Sequence, residues 1–418
     1  MKKKQYRALR VQKADLEVLS QTLPDDLTFG IDIAKKIMFG ALMGPEEQLL
    51  AVLKWDHLSE SRQVVAWLAG LPRVRVALEP SGTYGDALRA RLEQAGVSVY
   101  RVSPKQVKDA REIYDGVPSN HDAKSSAIVA WLDRLGRSEI WKDSDEKRRL
   151  AAAVGLQQLH ASAFSSAQNR LEAQLARYWP EVTTYLELDS ATLLELLAQY
   201  GSPRAVAEEA AEAEELMRRV GRSRLSEEKI QGILDSAEDT LGVPMVAEEQ
   251  EALQGLASEA RRRQKCVQSS TKRIVQVCNE HPVTSRISIS VGHVTAGVLT
   301  RDLGLLDTYN SARSLLKAAG LNLKEVSSGR RQGELAITKR GPRRSRQYLY
   351  LAVLRWIQKD LWARAWYEKK VERDGGLKRK ALVALMRKLL QGLWWVARGQ
   401  CFDSEKLFDT CRLAAAQA

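Results

Sequence analysis

Two acidic residues stand at the ends of apolar, strand-like segments. Asp32 lies within Leu27-Thr-Phe-Gly-Ile-Asp-Ile-Ala-Lys-Lys36, and Glu79 ends the run that starts at Val74, just before a Pro-Ser-Gly turn. Parallel pairing of these two strands would set the carboxylates side by side, where they repel each other unless a cation lies between them. The pattern therefore predicts the floor of a divalent-metal site.

A third acid, Asp122, begins a predicted helix that runs from His121 to Arg134. Helix residues at i and i+3 share a face, so position 125 would face the same site, but it is a serine. Asp32, Glu79 and Asp122 would then bind two Mg²⁺ ions about 4 Å apart. The second ion would be held loosely, through water, or with help from another group such as Asp115. An ordinary N-cap role for Asp122 remains open.

The order of elements around these acids indicates a fold class. Three strand-like runs are followed by alternating helices and strands, which predicts an α/β ribonuclease-H-like domain. The predicted strands are 28–34, 37–42, 49–54, 74–78 and 97–102, and the predicted helices are 59–69, capped by Ser59, 85–95, and one opened by Pro104.

The second half of the chain is predicted to be mostly helical. Residues 144 to about 280 carry apolar positions at helical spacing, which fits either a bundle core or a dimerising coiled coil. A turn at Gly292 between apolar helical segments resembles one helix-hairpin-helix, a motif whose backbone amides hold a phosphate. A polar loop is predicted at 324–333, and helices are predicted at 348–366 and 378–398.

Composition restricts the class of protein. The net charge of the 418 residues is +13, and the Lys and Arg residues concentrate in four clusters at 2–10, 261–273, 339–346 and 378–388. Such clustering is typical of a nucleic-acid binder, although a solvated basic surface is the alternative. The four cysteines lack metal-site spacing, and the sequence has no apolar run of about 18 residues. We therefore expect a cytoplasmic protein without membrane partners, and the family resemblance described next implies a bacterial, nucleoid-associated one.

Several short motifs together resemble the transposases of the insertion-sequence 110 family, which are bridge-RNA-guided DEDD recombinases. The motifs occur in the family's order and cover about residues 27–140 and 281–400: Gly30-Ile-Asp-Ile-Ala-Lys35, Ala77-Leu-Glu-Pro-Ser-Gly-Thr-Tyr84, Val102-Ser-Pro-Lys105, Asp122-Ala-Lys124, Gly320-Leu321, Ser328-Gly329 and Thr338-Lys-Arg-Gly341.

The resemblance implies a RuvC-like DEDD domain joined to a C-terminal transposase domain that carries a nucleophilic serine. Asp32, Glu79 and Asp122 match the first three acids, and the fourth falls on Ser125, where this chain departs from the family pattern. Ser328 matches the nucleophile, although Ser327-Ser328-Gly329 alone would be an ordinary turn. The implied divisions are a basic leader 1–26, the DEDD domain 27–140, a helical dimerisation region 141–280, the transposase domain 281–400 and a tail 401–418.

The function implied is site-specific cutting and exchange of DNA strands through a phosphoserine, with Ser328 from the same or a neighbouring subunit. The implied partners are donor and target DNA, a structured guide RNA, and further copies of the chain in a dimer or tetramer. Two alternatives remain: a RuvC-like, structure-specific, metal-dependent nuclease, and a catalytically weakened nucleic-acid-binding relative. Basic residues expected to hold phosphates are Lys35, Lys105, Lys124, Arg330, Arg331, Lys339, Arg340, Arg343 and Arg344.

Overall fold

A computed structural model describes residues 6–80, 82–141, 144–328 and 331–409 of the chain, and excludes the side chains of 326–328, 331, 332 and 334. The chain divides into two compact units, the first ending at Asp143 and the second beginning at Ser144. Within the described ranges, none of the helices has the length and apolar character that a membrane crossing requires.

The first unit alternates strands and helices. Its elements are β1 (Ala8–Arg10), α1 (Leu16–Gln21), β2 (Leu27–Asp32), β3 (Ile37–Met43), β4 (Leu49–Asp56), α2 (His57–Ala69), β5 (Val74–Leu78), α3 (Asp86–Gln94), β6 (Val99–Val102), α4 (Pro104–Asp115), α5 (Asp122–Arg134) and β7 (Ser138–Ile140).

One seven-stranded sheet organises this unit, in the order β1-β4-β3-β2-β5-β6-β7. Strands β2, β3 and β4 form an antiparallel meander, while β5 is parallel to β2 and β6 is parallel to β5. Three antiparallel strands followed by two parallel ones form the ribonuclease-H-like order, so the predicted fold class is confirmed. β1 pairs with β4 and extends this sheet, so residues 8–10 of the expected leader are part of the unit.

Over its described residues, the second unit is helical apart from one hairpin. Its elements are α6 (Asp145–Tyr178), α7 (Val182–Tyr185), α8 (Ala191–Tyr200), α9 (Pro203–Glu208), α10 (Ala210–Gly221), α11 (Glu227–Glu238), α12 (Ala247–Glu280), α13 (Pro282–Val291), α14 (His293–Leu303), α15 (Ala312–Ala318), β8 (Leu323–Ser328), β9 (Arg331–Ile337), α16 (Arg343–Lys359), α17 (Leu361–Arg373) and α18 (Lys378–Ala397).

The apolar stripe of α12 packs inside this same chain. Leu253 and Ala260 are buried in a core shared with α6 and α8, and Ile274 and Val277 are buried against residues of α6 and α14. These positions fill a bundle core, which is the first of the two interpretations that the spacing allowed.

Three local predictions were wrong. Helix α2 begins at His57 because Asp56, and not Ser59, caps it by accepting from the Leu58 and Ser59 amides at 3.2 and 3.1 Å. The polar loop predicted at 324–333 is the antiparallel β8–β9 hairpin. The predicted helix 348–366 is interrupted because Asp360 caps α17 through the Ala363 amide at 2.8 Å.

Candidate active site

The two strand acids lie together at one edge of the sheet. β2 and β5 are parallel, with Ile31 opposite Leu78, so Asp32 and Glu79 each follow the last paired residue of adjacent strands. The carboxyl ends of parallel neighbours open on the same edge, which is where α/β sheets place their ligands. Both side chains are half-buried. The predicted side-by-side placement of Asp32 and Glu79 is what the structure contains.

Asp122 reaches this edge as the first residue of α5. His121, one residue earlier, is the N-cap: its Nδ1 accepts a hydrogen bond from the Lys124 amide at 3.1 Å. The N-cap interpretation of Asp122 is therefore wrong. Asp122 is exposed, and its charge acts on Asp32.

Close packing in the middle of α5 fixes the helix on the sheet. A β-carbon added at Gly30 would lie 2.2 Å from the Ala130 nitrogen and 2.4 Å from the Ser126 carbonyl oxygen, distances that real β-carbons do not adopt. Only glycine lets β2 and α5 approach this closely. The contact lies two residues before Asp32 and so sets the distance between the strand acids and the start of α5.

An ion pair between half-exposed Arg75 and buried Asp133 holds the far end of the same helix. Asp133 is buried, and Arg75 of β5 donates to both of its carboxylate oxygens at 2.9 Å, while the Thr28 hydroxyl donates at 3.3 Å. The bidentate geometry fixes direction as well as distance. Both acid-bearing strands are thus tied to the helix that carries Asp122.

The negative charges of Asp122 and Glu79 act on Asp32 in this site. Burial, and next the charges of Asp122 and Glu79, raise the pKa of Asp32 to about 7, and the Arg111 cation opposes this rise. Burial also raises the pKa of Glu79, again against Arg111. Burial and nearby like charges both disfavour the ionised form of a carboxyl group, and both act on Asp32.

The donor set fits a divalent cation by its chemistry. Carboxylate oxygens are the ligands that Mg²⁺ prefers, and the charges of Asp122 and Glu79 add to burial in raising the pKa of Asp32. In the parts of the chain that the structure describes, however, no group of three or more His, Cys, Asp or Glu side chains is placed so that it could hold a metal ion. The three acids are gathered at one edge without being closed around a common point.

The fourth position of the predicted acid set is a buried hydroxyl. Ser125 is 7% exposed, and its Oγ donates to the Asn120 Oδ1 at 3.3 Å. The proposed substitute, Asp115, is already engaged: it accepts from Lys124 Nζ at 2.7 Å and from the Tyr6 hydroxyl at 2.8 Å. Asp115 therefore binds Lys124 and Tyr6, contrary to its expected role as a substitute metal ligand.

Comparisons with known proteins identify the family. Residues 29–180 match a model of DEDD transposases of the IS110 type, described as "Transposase", and residues 289–368 match one described as "Transposase IS116/IS110/IS902 family". The two stretches together span more than half of the chain. The chain belongs to the insertion-sequence 110 family of transposases. The first stretch contains Asp32, Glu79 and Asp122, and the second contains Ser328.

Comparisons with solved structures and with curated proteins show little further similarity. A solved structure, T. thermophilus RuvC in complex with Holliday junction substrate, is similar at 17% identity and a TM-score of 0.23, covering 28% of this chain and 99% of its own. Among curated proteins, none is significantly similar in sequence.

The basic residues expected to bind phosphates in this transposase differ in their surroundings. The predicted contact between Lys124 and a phosphate is wrong, because the Lys124 side chain is 1% exposed and paired with Asp115. Lys105 is exposed on α4 and paired with Asp109 at 2.8 Å, and Lys35 is exposed directly after β2. Four of the expected phosphate contacts lie exposed in the second unit: Lys339, Arg340, Arg343 and Arg344.

The predicted nucleophile lies at a strand end. The backbone of Ser328 ends β8 and pairs with Arg331, the first residue of β9. The side chains of Ser328 and Arg331, and the whole of Arg330, lie outside the described residues. Their predicted roles stay predictions.

Sequence reasoning missed Arg111 of α4. Its charge lowers the pKa of both Asp32 and Glu79, and within the described parts of the chain its buried Nε has no hydrogen-bond partner. A half-buried guanidinium with one unpartnered nitrogen can donate to an anion. Nothing in the sequence distinguishes it, since it is one of several charges on an amphipathic helix.

Proposed function

We propose that this transposase cuts and exchanges the DNA strands of an insertion sequence at the acidic edge formed by Asp32, Glu79 and Asp122. The observation that carries the proposal is the placement of Asp32 and Glu79 at the ends of adjacent parallel strands, where burial, and next the charges of Asp122 and Glu79, raise the pKa of Asp32 to about 7. Perturbed acids gathered at one sheet edge are characteristic of functional sites, because stability alone would favour their separation.

Asp32, Glu79 and Asp122 are the residues that would hold Mg²⁺, in keeping with the divalent-metal dependence expected of DEDD transposases. When bound, the metal supplies Lewis-acid activation of phosphate oxygens. Arg111, whose Nε has no hydrogen-bond partner among the described residues, would bind the scissile phosphate and so offset the repulsion between the DNA backbone and the acids.

Ser328 is the proposed nucleophile. A bond forms between its Oγ and phosphorus, and the P–O bond to one flanking sugar breaks. The freed sugar oxygen takes up the proton that the serine loses. In the second step a hydroxyl of the exchanging strand attacks the phosphoserine, which restores a phosphodiester and returns the proton to Ser328.

The remaining parts of the proposal concern partners. The exposed cations of the second unit, Arg340, Arg343 and Arg344 among them, would hold phosphates around the break. A structured guide RNA would select donor and target DNA, and a dimer or tetramer of the chain would bring Ser328 of one subunit or its neighbour to the acids.

The test is a covalent-adduct assay on Ser328→Ala, with the adjacent Ser327→Ala as the matched control. End-labelled DNA from the element's termini is incubated with Mg²⁺ and the RNA transcribed beside the gene, and adducts are resolved on a denaturing gel. We expect adducts with the wild type and Ser327→Ala and none with Ser328→Ala. Undiminished adducts in Ser328→Ala, or Mg²⁺-dependent cleavage without any adduct in the wild type, would reject the serine mechanism.

A further inference from the structure

The second unit contains a large cavity at the turn between α13 and α14. Its volume is about 1040 Å³, and α13, α14, α16 and the segment 399–402 supply most of its wall. Small-molecule sites commonly reach this size, and one nucleotide with its flanking phosphates fits within it.

Three buried polar atoms of the cavity wall have no hydrogen-bond partner in the described part of the chain, and one of them is the Nε of Arg286. Gln157 of α6 is 8% exposed, and its Oε1 acceptor is unsatisfied. The indole Nε1 donor of Trp356 is likewise buried and unsatisfied. Leaving such groups unpaired costs about 1–3 kcal/mol each, so a ligand that pairs them gains affinity. An acceptor and a donor in one wall complement the edge of a nucleobase.

The wall is also cationic and aromatic. Arg286, Arg355 and Lys359 line it, and Asp360 is the one acid among the described lining residues. Asp360 is engaged as the cap of α17. Phe402 lies against Trp356, with ring centroids 5.7 Å apart, and both line the cavity. Cations beside aromatic rings form the usual site for an unpaired base and its phosphate.

The turn itself offers a phosphate position. Gly292 adopts φ +83°, and α14, eleven residues long, starts directly after it without a side-chain cap. Arg355 donates to the Val291 carbonyl oxygen at 3.3 Å and to the Thr295 hydroxyl at 3.2 Å, which holds its guanidinium beside the first turn of α14. Uncapped amides and a fixed cation together favour an anion.

We propose that this cavity binds an unpaired nucleotide of a nucleic-acid strand. The base lies against Trp356 and Phe402 and bonds to the Gln157 Oε1, and its phosphate lies at the start of α14 with Arg355 and Lys359. This site goes beyond the strand cutting proposed above, since it needs neither the acids nor Ser328. RNA and DNA share the recognised chemistry.

Binding is measured on the full-length Asp32→Asn protein without divalent cations, so that its outcome does not depend on cleavage. Fluorescein-labelled single strands of RNA and of DNA are titrated by anisotropy, beside a duplex of the same sequence. Lys359→Ala removes an exposed cation of the cavity, and Lys272→Ala of α12 is its control. Gln157→Leu removes the buried acceptor, and Gln174→Leu, exposed on the same helix, is its control.

We expect Lys359→Ala and Gln157→Leu each to weaken single-strand binding about fivefold or more, with the controls unchanged. Gln157→Leu should melt no lower than the wild type, because it removes an unsatisfied buried acceptor. Photocrosslinking with 4-thiouridine or 4-thiothymidine strands should label peptides containing Trp356 or Phe402. Stronger binding and labelling by one of the two strands would identify RNA or DNA as the natural source.

Three results would overturn the proposal. One is equal affinity of the cavity variants and their controls for both single strands. Another is crosslinking exclusively at peptides outside the cavity. The third is a shift in oligomeric state with Lys359→Ala while single-strand affinity is unchanged, which would make this face an interface between copies of the chain.

Discussion

Replacing Asp32 by asparagine should stabilise the metal-free protein at alkaline pH. The pKa of Asp32 rises from 3.8 to about 7 in the folded chain. Three units correspond to about 4 kcal/mol at full strength. Because the side chain is only half-buried, screening by solvent reduces this to about 2 kcal/mol.

The sign of the pH dependence follows from proton binding. Between the ordinary pKa of 3.8 and the folded value of about 7, the native state holds a proton that the unfolded chain has lost. The free energy of unfolding therefore falls as pH rises through this window and levels off above it. An asparagine at this position would carry no charge, so Asp32→Asn escapes the penalty. Its advantage over the wild type should grow by about 1 kcal/mol between pH 5 and pH 8.5.

Urea unfolding in EDTA at the two pH values measures this difference. Asp56→Asn is the control: Asp56 is exposed, and hydrogen bonds from Ser59 lower its pKa, so its neutralisation should give no gain at pH 8.5. Mg²⁺ at ten times its dissociation constant should stabilise the wild type by about 1.4 kcal/mol and Asp32→Asn by less. Two results would refute this prediction: an Asp32→Asn variant less stable than the wild type at pH 8.5, or the same difference in free energy of unfolding at both pH values.

Three further predictions concern the framework of the site. Gly30→Ala should lower the free energy of unfolding, measured in urea, by about 3 kcal/mol or more, because the added β-carbon meets the backbone of α5. Gly155→Ala is the control: its β-carbon would lie in open space on α6, and it should raise the free energy of unfolding by about 0.5–1 kcal/mol. Equal effects of the two substitutions would contradict the packing argument. Lys124→Met should cost about 3 kcal/mol, because it breaks the ion pair between the buried Lys124 and the half-buried Asp115. A loss of DNA affinity at unchanged stability would restore Lys124 as a phosphate contact. Arg111→Gln should raise the pKa of Asp32, so the pH window of the stability fall, measured in EDTA, should move upward; a downward shift would disprove the assigned interaction.

The strand acids could be predicted because their position depends on local pattern. An apolar run that ends in an acid fixes the residue at the carboxyl end of a strand, and the ribonuclease-H-like order makes two such ends neighbours. The start of α5 was predictable for the same reason, since helix signals are local.

Lys124 and Arg111 could not be assigned from the sequence because their surroundings depend on tertiary packing. Residues 123–130 of α5 are all buried, so the lysine within that stretch is enclosed although it belongs to a polar motif. Arg111 acquires its role only when α4 packs beside the sheet edge. Neither environment leaves a periodic signal, because ion pairs across elements have no fixed spacing.

The β8–β9 hairpin was missed for a different reason. Its strands carry Lys, Glu, Ser and Arg, which have low strand propensity, and several of the described positions are exposed. Pairing across the turn, with Leu323 opposite Ile337, holds the strands together where composition favours a loop.

The most direct test of the shared acidic centre is Mg²⁺-dependent DNA strand cleavage by Asp32→Asn, Glu79→Gln and Asp122→Asn, each compared with the wild type across a Mg²⁺ titration. We predict that each single variant cleaves at least about 100-fold more slowly than the wild type. A double variant should be little slower than either single variant, because the effects of residues that act as one unit are not additive. Cleavage at the wild-type rate by any of the three would contradict a centre that needs all of them.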